Sequence, residues 1–197
     1  MDKLTVDDFK AMLRNALVCI TERADEFSKL DAVLGDGDHG TAIVQSMSAL
    51  VATAEQGTEF RSMLNDMSFH LMLEISGSTS TLLGGFFLGM SDHAAGVELD
   101  AAGVKAMFAG GLEGVRKQTK AKQGDKTMMD ALIPAVEAIQ ACNSTDVKTI
   151  LLAGAEAAVK GAEATKEMKA NFGLIPGHAP GRACSMHLPG PYKIIYK

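Results

Sequence analysis

Asp31, Asp36 and Asp38 are the side chains of this 197-residue chain whose type and spacing most directly suggest chemistry. They sit in the run Asp31-Ala-Val-Leu-Gly-Asp36-Gly-Asp38-His39-Gly40-Thr41, between two helical patterns. Carboxylates so close repel one another, and a divalent cation removes that cost; oxygen donors favour Mg²⁺ or Ca²⁺ over softer metals. Gly35, Gly37 and Gly40 let the backbone reach positive φ or approach a ligand closely. The helix that follows turns free N–H groups and a positive dipole end toward any anion. An acidic, glycine-rich surface turn is the plain alternative. A calcium EF-hand fails: counted from Asp31, positions three and five are Val33 and Gly35, and position twelve is Ala42 where a bidentate Glu is required. Mg²⁺ fits better, because it is held by one or two carboxylates and completes its shell with phosphate oxygens.

Two further segments carry small and hydroxyl residues. Thr79 and Ser80, in Gly77-Ser-Thr79-Ser80-Thr, read as a cap for the helix that follows. Thr41 either caps its own helix or offers its hydroxyl to a phosphate. Gly124-Asp125-Lys126-Thr127 is not a Walker loop, because Asp125 stands where the glycine before the lysine belongs. Protein-kinase signatures and a nucleophile elbow are absent. Asp125 and Asp130 read as surface or capping carboxylates, and His70 and His93 as ordinary surface or packing residues.

Helices must position these loops. Thr5 and Asp8 read as a cap for a first helix with Phe9, Leu13, Leu17, Ile20 and Phe27 on one face, delivering the chain to Asp31. Ile43 to Ala54 trace a second helix stopped at Gly57, and Phe60 to Ile75 a third. Leu82 to Met90 form a fourth, apolar enough to be buried all round. Val104 to Val115 give a fifth. Thr127 caps a sixth, kinked at Pro134, and Ser144 or Thr145 opens an alanine-rich seventh from Val147 to about Ala170. No segment alternates at period two, so no sheet is expected. The fold class is all-α, an antiparallel up-and-down bundle of seven to eight helices, in one domain over residues 1–170.

Composition narrows the function. With 47% apolar and 22% charged residues the chain is globular, and its net charge of −5 argues against a nucleic-acid surface. Cys19, Cys142 and Cys184 are odd in number and far apart, which indicates neither a disulfide framework nor a zinc site. The absence of a signal peptide and of a membrane-spanning stretch points to the cytoplasm.

Three ordered segments, Asp31 with Gly-Asp36-Gly-Asp38-His39-Gly40, then Gly77-Ser-Thr79-Ser80-Thr-Leu-Leu-Gly-Gly85, then Gly124-Asp125-Lys126-Thr127-Met128-Met129-Asp130, resemble the nucleotide-binding L subunit of dihydroxyacetone kinases. The resemblance implies a barrel of about eight antiparallel helices with the nucleotide at one end. It implies one or two Mg²⁺ ions on Asp31, Asp36 and Asp38, and ADP or ATP beside His39, Gly40, Thr41, Thr79, Ser80, Gly124, Thr127 and Met129. On the residues alone, His39 can equally be a turn histidine and Met129 a core residue. A homodimer is expected, together with a separate ketose-binding subunit and, in one form of the enzyme, a phosphotransferase-system phosphoryl donor protein. An ATP-dependent tetrulose kinase subunit and a nonenzymatic, nucleotide-loaded regulator are the alternatives.

From Asn171 onward the chain departs from the family. The tail, residues 171–197, concentrates four of the five prolines. Gly181-Arg182-Ala183 only echoes the family's closing segment, and the last helix has no counterpart. The tail therefore predicts weaker nucleotide retention than in relatives with the full closing segment.

Overall fold

The structure, a computed structural model, describes residues 1–32, 36–75 and 77–171. Eight α-helices run through them: α1 Val6–Glu22, α2 Ala24–Asp31, α3 His39–Gln56, α4 Phe60–Glu74, α5 Ser78–Ser91, α6 Ala101–Gln118, α7 Met129–Ala141 and α8 Val147–Ala164. None is long and apolar enough to cross a membrane. The all-α bundle expected from the periodicity is what forms. The atypical tail lies outside the described residues, apart from Asn171.

The start of α1 follows its sequence signal. Thr5 Oγ1 accepts from the Asp8 N–H at 3.1 Å and the Asp8 carboxylate accepts from the Thr5 N–H at 3.0 Å, so two N-terminal donors are satisfied reciprocally. The single helix expected up to Asp31 is in fact two. At Arg23 the backbone leaves the helix (φ −115°, ψ 9°), and the guanidinium pairs with Glu26 at 2.8 Å and lies over the Phe27 ring. The break reorients α2 so that Phe27 enters the core.

A small sheet corrects the expectation of none. Leu4–Thr5 (β1) pairs antiparallel with Glu98–Leu99 (β2), a ladder too short to leave an alternating pattern in the sequence. It gathers one end of the bundle. There the Val6 N–H donates to Val97 O, the Phe60 N–H to Gly96 O and the Val147 N–H to Met1 O.

Phe60, Met63, Leu64, Met67 and Leu71 of α4 are all inaccessible and form the centre of the main core, with α1, α3 and α5 packed around them. α5 is not buried all round: Phe87 and Met90 are, whereas Leu82, Leu83, Phe86 and Leu88 are half-buried. Its remaining face is glycine, because α6 comes very close. A Cβ at Gly89 would lie 2.1 Å from Gly110 O, and one at Gly114 would lie 2.0 Å from Gly85 O.

The last two helices form a second antiparallel pair. Pro134 lies inside α7, and having no N–H it cannot bond the Asp130 carbonyl one turn back. α8 approaches that point so closely that a Cβ on Gly161 would stand 2.0 Å from Asp130 O. The cap of α8 is Asp146 rather than Ser144 or Thr145. Its carboxylate accepts from the Thr149 N–H at 2.8 Å, and Ser144 instead accepts from the Asp146 N–H. α8 ends at Ala164 and gives way to a 3-10 turn over Thr165–Glu167, short of the expected Ala170.

Candidate metal and nucleotide site

The alternation of helix directions carries the site. α3 and α5 each begin, and α4 and α6 each end, at the pole opposite the small sheet; α7 begins there and α8 ends there. The acidic run, the Gly77 turn and the Gly124–Asp130 turn thus occupy one pole of the bundle.

In the acidic loop, Asp31 is the last residue of α2, and Asp36 and Asp38 precede α3. Carboxylate oxygens of all three lie within 4.8 Å of one another; Asp31 is half-buried and the other two are exposed. Gly37, at φ +79°, folds the loop so that its N–H donates to Asp31 Oδ2 at 2.9 Å. Gly40 is fixed by packing: a Cβ there would stand 1.9 Å from Ala24 O, and its N–H donates to Ser28 Oγ at 3.2 Å. A hydrogen bond with Asp36, first, and then the charges of Asp36 and Asp31 hold the Asp38 carboxyl above the usual carboxylate range, although His39 pulls it back.

These donors fit a small divalent cation. Mg²⁺ takes oxygens at about 2.0–2.1 Å in an octahedron, so ligands at neighbouring positions stand about 3 Å apart and those at opposite positions about 4 Å, and the carboxylates would close by about 1–2 Å around the ion. Asp38 ends its own turn without a side-chain cap on α3, so the dipole end of an 18-residue helix adjoins the acids. Thr41 does not cap that helix; it is the third residue inside it and is exposed.

At the Gly77 turn, Gly77 (φ +122°) precedes α5, which has no side-chain cap, so neither Thr79 nor Ser80 serves as one. Ser80 is 2% exposed and turns its hydroxyl onto Ile75 O and Gly77 O, at 2.7 and 2.9 Å. Thr79 is half-buried and makes no side-chain hydrogen bond to another described residue. Of the pair, Thr79 is the hydroxyl that no described residue engages.

The Gly124–Asp130 turn is built around a buried carboxylate: of the two readings of Asp130, surface or capping, the second is what forms. Asp130 is 1% exposed and accepts from the Gly124 N–H at 2.5 Å and from the Thr127 N–H at 2.8 Å. Thr127 Oγ1 accepts from the Met129 N–H, but α7 begins only at Met129. Gly124 is exposed at φ +94°, whereas Met129 is inaccessible among Val115, Ile133 and Val136, a core position. Asp125 is also buried. The Lys122 N–H, first, and the Asn171 amide hold its carboxyl below the usual range. Lys126 takes φ +60°, an uncommon value for a side-chain-bearing residue, and its buried ammonium donates to Met168 O at 2.9 Å. These contacts hold the chain after α8 against the turn. The sequence signal for this was the spacing of Asp130, three residues after Thr127, where a carboxylate folds back on a preceding N–H group.

The DAK2 domain model matches residues 33–174. The chain is 30% identical over 156 residues to the ADP-binding subunit DhaL of PEP-dependent dihydroxyacetone kinase 1 from Listeria innocua serovar 6a, covering 78% of this chain and 74% of that protein. To the corresponding DhaL subunit of Escherichia coli K12 it is 30% identical over 174 residues, 85% of this chain and 81% of that one. To bovine triokinase/FMN cyclase it is 34% identical over 154 residues, but it spans only 26% of that protein. A crystal structure of the dihydroxyacetone kinase from C. freundii, in complex with AMP-PNP and Mg²⁺, superposes with a TM-score of 0.64 at 22% identity, over 81% of this chain and 29% of that one. At that identity the superposition speaks for the fold alone.

Proposed function

The chain belongs to the DAK2 domain family, and from that premise we propose that it is the nucleotide-binding subunit of a dihydroxyacetone kinase, active only with a separate ketose-binding subunit. One observation carries the reading: three carboxylates gathered within 4.8 Å beside the N-terminus of α3, in a chain whose relatives are named as ADP-binding kinase subunits. Asp31, Asp36 and Asp38 would hold one or two Mg²⁺ ions. When bound, Mg²⁺ bridges phosphate oxygens and offsets the charge that phosphoryl transfer spreads over them.

The chain's own part is positioning. Gly37 and Asp31 hold the acidic loop closed, and Gly40 seats the first turn of α3 on α2. His39, Gly40 and Thr41 would present that turn to the phosphates, with Thr79 adding a hydroxyl and Ser80 ordering the turn beneath it. Gly124 and Thr127 would border the base, and Met129 would support that wall from within the core. Residues 1–170 form the functional unit of this proposal, in a cytoplasmic setting and as a homodimer. The phosphoryl donor would be ATP, or a phosphotransferase protein that recharges bound ADP.

Calorimetry with ADP and ATP, with Mg²⁺ and with excess chelator, tests the site. Metal-dependent uptake of either nucleotide supports the proposal, and heat-free titrations of folded protein overturn it. Phosphate transfer to dihydroxyacetone or to a tetrulose, in the presence of the ketose-binding subunit, then identifies the acceptor. Partner binding without turnover would instead indicate a regulatory module.

A further inference from the structure

A kinase subunit that lacks its acceptor must meet the protein that carries it at the pole where the three loops lie. Two features there turn side chains to solvent, Phe69 and Leu73 in the first and Lys117 and Lys120 in the second. The first is on α4, where Phe69 and Leu73 are 50% and 80% exposed, one turn apart on the face opposite the core residues Met67 and Leu71. Exposing two large apolar side chains at adjacent positions of one helix face costs solvation that a partner would recover. The second is the segment Arg116-Lys117-Gln-Thr-Lys120-Ala-Lys122, which contains no acidic residue in a chain of net charge −5. Arg116 is paired with Glu113, whereas Lys117 and Lys120 form no ion pair among the described residues and are exposed. Lys122 adds its field, which also reaches Asp125.

The fold brings the two features to either side of the same helix. Ser68 of α4 donates to Gly84 O of α5 at 2.8 Å, and Gln118 of α6 packs where a Cβ on the adjacent Gly85 would stand. From that level toward the loop pole, α4 continues through Phe69 and Leu73, and α6 ends in the lysine segment. The first turns of α5, with Gly77 and Thr79, lie between them.

We propose that Phe69, Leu73 and the cationic segment 117–122 form the docking surface for an acidic protein partner that presents the phosphoryl acceptor to the loop pole. This rests on the proposed function and deepens it. Phe69 and Leu73 fill an apolar recess and supply most of the holding energy, because interface energy concentrates in a few buried large side chains. The lysines act earlier. Exposed, mobile ammonium groups are poor at fixing one small anion but effective at drawing an extended acidic face into register.

The test uses the full chain and the ketose-binding subunit of the same organism. Association and dissociation rates are measured by surface plasmon resonance at several salt concentrations, for the unmutated chain, for Phe69→Ser with Leu73→Asn, and for Lys117→Glu with Lys120→Glu. The apolar pair of substitutions is expected to raise Kd by about tenfold or more, mainly through faster dissociation. The charge pair is expected to slow association about tenfold at low salt and to flatten its salt dependence. Both variants should keep the Mg-ADP affinity and the urea midpoint of the unmutated chain. Unchanged partner kinetics in both variants overturn the proposal. So does a dimer in sedimentation that Phe69→Ser with Leu73→Asn converts to monomer while partner affinity holds, since the apolar face would then belong to self-association. Failure of the unmutated chain to bind Mg-ADP overturns the proposed function instead.

Discussion

The backbone N–H of Gly37 donates to the carboxylate of Asp31, six residues upstream, and so closes the acidic loop on itself at 2.9 Å. Gly37 reaches this bond only at φ +79°, and a Cβ there would also stand 3.2 Å from that of Ala32. Gly37→Ala is therefore expected to cost about 1–2 kcal/mol locally and to weaken Mg²⁺ binding, because the loop must open to relieve the strain. Calorimetric Mg-ADP titration beside thermal melts checks this: metal affinity falls more than overall stability.

Asp36→Asn should separate function from stability. The neighbouring acid raises the Asp38 carboxyl, so the folded metal-free protein binds more protons than the unfolded chain. Stability from this cluster is then present in acid and declines as pH rises past the ordinary carboxylate range. Asp36→Asn relieves the repulsion, so the metal-free variant should melt higher than the unmutated protein at neutral pH and lose the Mg²⁺-dependent gain. Metal affinity should fall by about 10–100-fold or more, since disturbing even a group that merely orients a ligand costs that much. Melting curves with and without Mg²⁺ measure both effects.

Glu59 caps α4 by accepting from the Ser62 and Arg61 N–H groups, at 2.5 and 3.2 Å. The Ser62 N–H, first, holds its carboxyl below the usual range, against some opposition from burial. A depressed carboxyl stabilises the fold above its unfolded value, and the contribution disappears as pH falls through the folded one. Glu59→Ala should cost about 1 kcal/mol at neutral pH, and the difference should vanish in strong acid. Urea unfolding of both proteins across that range tests the sign.

The α5–α6 seam should tolerate no added methyl group. Gly114→Ala places a Cβ 2.0 Å from Gly85 O, backbone that cannot rotate away. About 1–3 kcal/mol is expected, as for other overpacked contacts, whereas Gly96→Ala meets nothing within 4 Å and should show only the strain of its φ of +81°. The comparison by chemical denaturation isolates the effect of close approach.

Asp130→Ala should leave the N–H groups of exposed Gly124 and half-buried Thr127 without their acceptor. A loss of about 1 kcal/mol is expected, with weakened nucleotide binding where Gly124 borders the base. Denaturation and nucleotide titration measure the two losses separately.

Much of this was legible in the residues. Helical periodicity gave the bundle, because a core-facing stripe recurs at the same spacing however the helices are later arranged. The density of Asp31, Asp36 and Asp38 marked the candidate site, and the structure brings their carboxylates within 4.8 Å of one another. The break at Arg23 was not legible: Phe27 keeps the spacing of α1 while the backbone turns away. The β1–β2 pair was too short to alternate, and the spacing of Asp130 from Thr127 allowed a capping role without showing its burial.

The chain's local chemistry, then, determined its helices, its acidic loop and the family motifs, because each depends on residues only a few positions apart. Tertiary packing alone decided that three loops separated by some forty residues each share one pole, that Ser80 is turned inward and Thr79 left over, and that Met129 belongs to the core. Those outcomes depend on how antiparallel helices stack and how closely glycine faces let them approach, and no short stretch of sequence contains that information.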